Sequence, residues 1–170
     1  MQMLLAQPTD QMLRLFLLHV GSIWKLDEAC FRQIEDRVGL GAACEIAADC
    51  QRELGQREAE QIPGLLDLEQ RDVPALVEAL KHGSWALDLP DKSFAIDLDE
   101  TRASLVVSDC ALVASRREAG LGVIECQRIR LAYLEAFVRR FSPRLEVRCL
   151  HGPAGRQSGP WCSWEFSEKA

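Results

Sequence analysis

The residues of this chain best suited to chemistry are its cysteines, of which there are seven. Four of them fall in the second half, together with one carboxylate and one histidine of interest: Cys110, Cys126, Glu146, Cys149, His151 and Cys162. In a reducing compartment, thiols serve as metal ligands, reactive groups or buried apolar side chains more often than as disulfides. We therefore look for function in the C-terminal third.

The spacing of these residues indicates a zinc site. Glu146 and Cys149 are three apart around a predicted strand, and Cys162 follows a loop rich in Gly, Pro and Ser. Pairing of the two flanking strands would bring Cys149 and Cys162 together, and a helix that starts at Cys126 could cross them. Three thiolates and a carboxylate make a tetrahedral set of four zinc ligands. We expect Cys126, Glu146, Cys149 and Cys162 to bind zinc.

Two residues compete for places in this set. Cys110 could replace Glu146 if it ends a central strand beside Cys149, which would leave Glu146 exposed. A site of four thiolates could also hold iron instead of zinc. His151 is a further candidate ligand, or a hydrogen-bond donor to a ligand. The sequence leaves these alternatives open.

The first half of the chain is predicted to form helices whose ends are marked by capping residues, glycine and proline. Apolar residues at helical spacing predict one helix over about 11–24 and a second, capped by Asp27, that stops at Gly39. A third helix is expected over about 40–61, before Pro63-Gly64, and a short fourth one is capped by Asp72. Cys30, Cys44 and Cys50 lie in these helices and are expected in their packed faces.

The second half changes to a β pattern. Alternation in FAIDLDE, followed by SLVVSDCALVAS, predicts antiparallel strands, and 116–122 reads as a loop. A long helix is expected over about 125–141, followed by the short strands LEVRCL and WCSWEF. The prediction is an α+β fold: N-terminal helices packed with an antiparallel sheet and one long helix. We expect a single domain over 1–170, with a helical layer over 1–84 and the sheet, helix and cysteine-rich site over 85–170.

The run from Cys126 through LEVRC to WCSWEF resembles the C-terminal signature of the 4-vinyl reductase small-molecule-binding domain. That domain is related to the trafficking-complex fold and occurs in bacteriochlorophyll enzymes and aromatic-sensing transcription activators. In its sensor members, a zinc ion is held by a Cys, a Glu and Cys three apart, and a last Cys. The resemblance implies Cys126, Glu146, Cys149 and Cys162 as ligands here. The loop before Cys162 is longer than in those members.

A larger part of the chain, from about Ile23 to Phe166, resembles a group of bacterial cytosolic proteins allied to L-2-amino-thiazoline-4-carboxylate hydrolase. The similar segments are IWKLDEACF, QREAEQIPGL, ECQRIRLAYLEAFVRRFSP and WCSWEF. Members often carry a proline-proline-aspartate loop, where this chain has His151-Gly152-Pro153. The resemblance implies a hydrolase only as an alternative function.

We predict a small-molecule-binding or sensing domain in which a structural zinc site braces the C-terminal strands. Trp24 and Trp85 are candidates to line a pocket for a small apolar or heterocyclic ligand, with the Tyr133 hydroxyl turned into it. The alternative is a hydrolase acting on a cyclic thiazoline or amide, through a Cys126 or Cys110 nucleophile or a metal-activated water. The chain contains none of the motifs H-E-x-x-H, G-x-S-x-G or the P-loop.

The charge and the hydrophobicity of the sequence argue against some classes of binding partner. Twenty Lys+Arg against 26 Asp+Glu give a net charge of −6 without a basic run, so nucleic acid is not expected as a partner. The sequence lacks an apolar stretch of the roughly 20 residues that a membrane span needs, and its start does not resemble a secretory signal. A cytoplasmic protein is expected. An apolar patch of Leu13, Phe16, Leu17 and Val20 would favour a homodimer.

Overall fold

The computed structural model describes residues 8–84, 92–96, 100–108, 110–122, 124–152 and 161–169. Its helices are α1 (Thr9–Val38), α2 (Leu40–Leu65), α3 (Val73–Lys81), α4 (Ala111–Glu118) and α5 (Cys126–Phe141), and its strands are β1 (Lys92–Ile96), β2 (Arg102–Val107), β3 (Leu145–His151) and β4 (Cys162–Glu168). The predicted α+β class is confirmed. The chain divides into two compact units, Met1–Ala43 and Cys44–Ala170.

The first unit is dominated by α1, and its two predicted helices are one. The helix runs without interruption through Asp27, which we expected to start a second helix. Neither Pro nor Gly occurs between Trp24 and Asp27, so nothing in that stretch breaks the helix. The predicted stop is confirmed at Gly39, which has φ +84° and donates its N–H to the Glu35 carbonyl over 2.8 Å. Within Thr9–Val38, none of the residues is buried.

In the second unit, α2 ends at Leu65 rather than near Gln61, because Pro63 is accommodated inside its last turn. The predicted cap of α3 is confirmed: Asp72 Oδ1 accepts from the Ala75 N–H over 3.0 Å, and Pro74 lies in the first turn. The apolar face of α3 is buried, including Leu76, Val77 and Leu80.

Among the described residues, four strands form one antiparallel sheet in the order β1-β2-β4-β3. The strand β2 pairs with β4 from Arg102↔Ser167 to Val107↔Cys162. Along β3, the pairing runs from Leu145↔Glu168 to Cys149↔Trp164, with a register shift before His151↔Ser163. The predicted strand SLVVSDCALVAS is wrong in its second half, because the chain leaves the sheet after Val107 and forms α4. The expected strand over SWALDL lies outside the described residues.

One apolar core joins the covered face of the sheet to α2, α3 and α5. Its largest fully buried side chains include Trp164, Tyr133, Phe137 and Phe166. The helices α2 and α5 approach closely at Gly55, where an added Cβ would overlap the Tyr133 carbonyl and lie 3.3 Å from the Phe137 nitrogen. This packing holds the middle of α5 against α2.

Of the helical cysteines, only Cys44 is buried; Cys30 and Cys50 are exposed, contrary to the expectation that all three would be packed. In the described part of the chain, the helices lack the length and apolar character that a membrane crossing requires.

Candidate thiol site at one end of the sheet

Cys162 lies where two central strands end. It is the first residue of β4 and pairs with Val107, the last residue of β2. Directly beyond this pair, Trp161 donates its N–H to the Val107 carbonyl over 2.8 Å. Cys110 follows β2, and its carbonyl accepts from the Ala114 N–H over 3.0 Å at the start of α4. The end of β2 therefore brings Cys110 towards Cys162.

The first turn of α5 reaches the same end of the sheet. Cys126 is the first residue of α5, and Gln127 follows it. Gly152 lies so close to Gln127 that an added Cβ would overlap the Gln127 amide. Because Gly152 comes directly after His151, which pairs with Ser163, the start of the helix lies near the beginning of β4. Three separate segments thus meet around Cys162.

The surroundings of Cys162 change the pKa of its thiol. Burial raises the pKa of the Cys162 thiol to about 11, and the sulfurs of Cys126 and Cys110 contribute to the increase. The Trp164 N–H and the Arg130 guanidinium act in the opposite direction and lower this pKa. The three thiols belong to the segments that meet at this end of the sheet. We call Cys110, Cys126 and Cys162 the thiol cluster.

Trp164 is a member of this site that we did not expect from the sequence. Its side chain is fully buried, and its Nε1 has no hydrogen-bond partner of normal geometry among the described residues. Residues 162 and 164 share a face of β4, so the indole lies beside the cysteine. The C-x-W spacing on a strand was the signal that could have identified it.

Cys149 lies on the same face of the sheet but in a different environment. It pairs with Trp164, and its thiol donates a hydrogen bond of 3.3 Å to the His151 carbonyl. Burial raises the pKa of the Cys149 thiol. Both Cys149 and Cys162 pack against the apolar core as partly buried side chains.

Glu146 lies on the opposite face of the sheet from the cysteines. It pairs with Ser167, whereas Cys149, Trp164 and Cys162 belong to the covered face. Glu146 forms an ion pair of 2.5 Å with Arg148 and lines a charged depression with Arg102. The structure therefore does not bring Glu146 together with Cys126, Cys149 and Cys162, because residues an odd number apart on a regular strand point to opposite faces.

His151 pairs with Ser163, beyond the register shift, and is not in line with the cysteines of the covered face. Its Nε2 is buried and has no hydrogen-bond partner among the described residues. Across those same residues, no group of three or more His, Cys, Asp or Glu side chains is arranged so that it could hold a metal ion. The expected four-ligand set is thus not assembled among the described residues.

A groove of about 720 Å³ runs between α2 and the start of α5, and Cys126 lies in its wall. Its alanine and leucine floor is bordered by charged residues. Arg128 bridges the two sides of the groove. Its guanidinium nitrogens lie 3.2 Å from a carboxylate oxygen of Glu45 on α2 and 3.6 Å from a carboxylate oxygen of Glu125. The hydrogen bond with Glu45 is the main factor that raises the Arg128 pKa, so this cation stays charged. The volume is within the range of small-ligand sites.

Of the three predicted pocket residues, the structure describes Trp24 and Tyr133, which belong to different units. Trp24 is 37% exposed on α1 of the first unit. Trp85 lies outside the described residues. Tyr133 is fully buried and donates its hydroxyl to Glu58 Oε2 over 2.5 Å, so that the hydroxyl is used within the core.

Comparison with known proteins yields a fold and a family. A search of curated proteins found no significant match. Among solved structures, the chain is similar to a trafficking protein particle complex subunit 3 from Naegleria fowleri, covalently bound to palmitic acid. The TM-score is 0.51 at 12% identity, and the match covers 92% of this chain and 94% of that one. This likeness shows a shared fold. Residues 7–168 match the family described as "Family of unknown function (DUF6125)", and the chain belongs to that family.

Proposed function

We propose that this protein is a small-molecule-binding domain in which zinc, held by the C-terminal cysteines, ties α5 to the end of the sheet. The observation that carries the proposal is that the segments with Cys110, Cys126 and Cys162 meet at one end of the sheet, through the Val107–Cys162 pair and the approach of Gln127 to Gly152. These thiols come from three segments that are distant in sequence, and an ion between them would fasten all three. The resemblance to the 4-vinyl reductase domain points to the same chemistry.

The ligands that fit the geometry best are the thiol cluster and Cys149. This set replaces Glu146, which faces away, with Cys110. Zinc requires the sulfurs about 2.3 Å from the ion, so the side chains must move together when the metal binds. Cys149 would give up its hydrogen bond to the His151 carbonyl. His151, whose Nε2 is buried without a partner in the described structure, is the alternative fourth ligand.

Two groups near Cys162 would help to stabilise thiolates at this site. Four thiolates around Zn²⁺ leave a net charge of about −2, which is costly in a partly buried site. The Arg130 guanidinium and the Trp164 N–H both lower the pKa of Cys162 and thereby favour its thiolate. Zinc itself would supply the positive charge that fixes the thiolates.

The test is the zinc content of the full reduced chain and of two serine variants. We expect about one equivalent of zinc in the native protein and in Cys50→Ser, whose thiol is exposed and remote in sequence from the cluster. We expect Cys162→Ser to lose the metal and the order of β3 and β4. Native protein that takes up no zinc under reducing conditions would contradict the proposal.

The groove between α2 and α5 is the proposed ligand site. Its floor includes Ala48, Leu131 and Ala132, and its border carries Arg52 and Glu135. A small heterocycle with polar substituents matches this mixture better than a long acyl chain, although the similar trafficking subunit carries covalently bound palmitic acid. Chemical-shift changes at α2 and α5 on adding candidate heterocycles would test this site.

A hydrolase is the second candidate, and the observation that favours it is the position of Cys126 in the wall of the groove. A ligand there would meet a thiol at the start of a helix, which is a suitable location for a nucleophile. The proposed substrate is a cyclic thiazoline or amide, following the resemblance to the thiazoline hydrolase group. Hydrolysis of such a substrate that survives in Cys126→Ser would exclude the cysteine mechanism.

We also propose that α1 supports a homodimer. Leu13, Phe16 and Leu17 on this helix are each more than half exposed. Apolar side chains clustered at the surface often mark an association surface. Replacing Phe16 and Leu17 with Asp should convert a dimer into a monomer, as measured by light scattering.

A further inference from the structure

We propose that the outer edge of β3 is a second self-association surface, which pairs antiparallel with β3 of another copy of this chain. The contact is separate from the homodimer proposed for α1, and it depends on neither zinc nor a small-molecule ligand. One strand edge makes a small contact, so the pairing is weak and forms at high protein concentration.

The strand β3 lies at a border of the sheet. Among the described residues it pairs with β4 alone, and its seven residues, Leu145–His151, include no proline. The N–H and C=O groups along such an edge can bond to a further strand. The side chains of Arg148 and Leu150 are both more than half exposed, so solvent reaches this border.

The hydrogen bonds to β4 show which backbone groups of β3 point outward. Lys169 donates its N–H to the Arg144 carbonyl over 2.8 Å, in the same register as the rest of the β3–β4 pairing. Hydrogen-bonded pairs alternate with non-hydrogen-bonded pairs along antiparallel strands. The even-numbered residues of β3 therefore bond to β4, whereas the N–H and C=O groups of Val147 and Cys149 point to the open edge.

Charge selects one register for the two copies. The odd-numbered residues point outward, so they must pair with one another. With Val147 on the two-fold axis, Glu146 of each copy lies opposite Arg148 of the other, and both cross-strand pairs are favourable. Moving the axis to residue 146 or 148 places Glu146 opposite Glu146, or Arg148 opposite Arg148. Like charges at opposite positions destabilise a strand pair.

The charges on β4 support the same register. Arg148 lies opposite Glu165 on β4, in one row across the open face of the sheet. In the proposed pair, Glu146 of the second copy continues this row, so that Arg148 lies between two carboxylates. Within one chain, Glu146 and Arg148 already form an ion pair over 2.5 Å, so both charged groups lie on the same face of β3.

The backbone bonds of the interface follow from this register. The N–H and C=O groups of Val147 bond to the same groups of the second copy, and the Cys149 N–H donates to the Leu145 carbonyl of the second copy. The Leu145 N–H is already donated to the Ser142 carbonyl over 3.2 Å. Because α1 and β3 would supply two different two-fold contacts, copies that use both form assemblies larger than a dimer.

Cross-linking through introduced thiols tests the register in the full chain. Glu146→Cys and Arg148→Cys are prepared separately, mixed at high concentration and oxidised with diamide. Opposite residues of a non-hydrogen-bonded antiparallel pair have Cα atoms about 4.5 Å apart, which a disulfide can span. We expect a disulfide between the two different variants and none within either variant alone. The Arg148 and Glu146 that remain in this mixture still form the other ion pair.

Tryptic peptide mapping separates this bridge from bridges of the seven native cysteines. The matched control mixes Glu165→Cys with Arg148→Cys. Residue 165 lies on the same face but one strand away from the edge, so this mixture should not cross-link. Absence of the bridge, or bridges between two copies of a single variant, would overturn the inference.

Charge reversal tests the same contact without oxidation. In the Phe16→Asp/Leu17→Asp chain, which removes the α1 contact, sedimentation velocity should still show a dimer at high concentration. Adding Arg148→Glu should weaken this dimer by about tenfold or more, because both cross-strand pairs become repulsive. Adding Glu146→Arg together with Arg148→Glu should restore it. A chain that stays monomeric at every concentration, or a double reversal that does not restore the dimer, would contradict the proposal and leave the zinc and α1 proposals untouched.

Discussion

Tyr133 on α5 donates its hydroxyl to Glu58 on α2 over 2.5 Å. The same carboxylate accepts the Ser84 N–H, at 3.2 Å to one oxygen and 3.1 Å to the other. Burial, followed by the nearby Glu58 charge, raises the pKa of Tyr133, so its hydroxyl remains a donor at ordinary pH. One carboxylate therefore joins α2, α5 and the segment after α3.

Removing this hydroxyl should destabilise the second unit. Tyr133→Phe keeps the buried ring and deletes the donor to a charged acceptor, which corresponds to a loss of about 1.5–3 kcal/mol. Urea unfolding measures the change. Combining Tyr133→Phe with Glu58→Ala should cost less than the sum of the single variants, because each variant alone already removes this hydrogen bond. Additive losses would contradict the coupling.

The close approach of α2 and α5 gives a second prediction. Gly55→Ala should cost about 1–3 kcal/mol, because the added methyl overlaps the Tyr133 carbonyl and the backbone must shift. Gly64→Ala in the same helix is the matched control, since its Cβ would meet nothing within 4 Å. If the two variants have equal unfolding free energies, the helices are not packed as described.

The cap of α3 is a third measurable feature. Asp72→Ala removes the acceptor of the Ala75 N–H and should lower the free energy of unfolding by about 0.5–2 kcal/mol. Asp72→Asn should retain most of the stability, because its side chain can still accept this hydrogen bond. An alanine variant as stable as the asparagine variant would show that the cap contributes nothing.

The raised pKa of Cys162 predicts slow alkylation in the metal-free, reduced chain. At pH 8, an increase from an ordinary value near 9.0 to about 11 lowers the thiolate fraction about 100-fold. Iodoacetamide should therefore label the exposed Cys50 at least about tenfold faster than Cys162, as followed by mass spectrometry. Equal rates would mean that Cys162 is not buried among the other thiols.

The same shift has a consequence for stability. The folded chain holds the Cys162 proton more tightly than the unfolded chain does. This tighter proton binding stabilises the folded state, and the stabilisation is complete below pH 9. It declines as the pH rises from about 9 through 11, where the unfolded thiol ionises first. Cys162→Ser should flatten the fall of the unfolding free energy over this interval. An unchanged slope would assign the effect to other groups.

Much of the fold could be predicted from local sequence signals. The Asp72 cap, the Gly39 stop, the long helix α5 and the strands β3 and β4 were each marked by capping residues or by apolar spacing. The unbroken course of α1 through Asp27 was missed because a residue typical of caps is tolerated inside a helix whose neighbours favour it. The helix α4 was missed because Ala111, Leu112 and Val113 read equally well as strand.

The site was predictable only in part. The convergence of Cys126 and Cys162 depends on how α5 crosses the sheet, which no local pattern specifies. The position of Glu146, in contrast, follows from the sequence: it lies three positions before Cys149 on one strand, so the two side chains face opposite ways. Trp164, two residues after Cys162, shares the face of the cysteine by the same rule.

The most direct test of the central claim is the absorption spectrum of the reduced full chain titrated with Co²⁺, a probe for tetrahedral zinc sites. If the sulfurs of Cys110, Cys126 and Cys162 meet around one ion, strong sulfur-to-cobalt charge-transfer bands should saturate at one equivalent and collapse when zinc is added. These bands should weaken in Cys110→Ser, Cys126→Ser and Cys162→Ser, and persist in Cys50→Ser and Glu146→Gln. A spectrum without thiolate charge transfer, or one that depends on Glu146 and not on Cys162, would contradict the account.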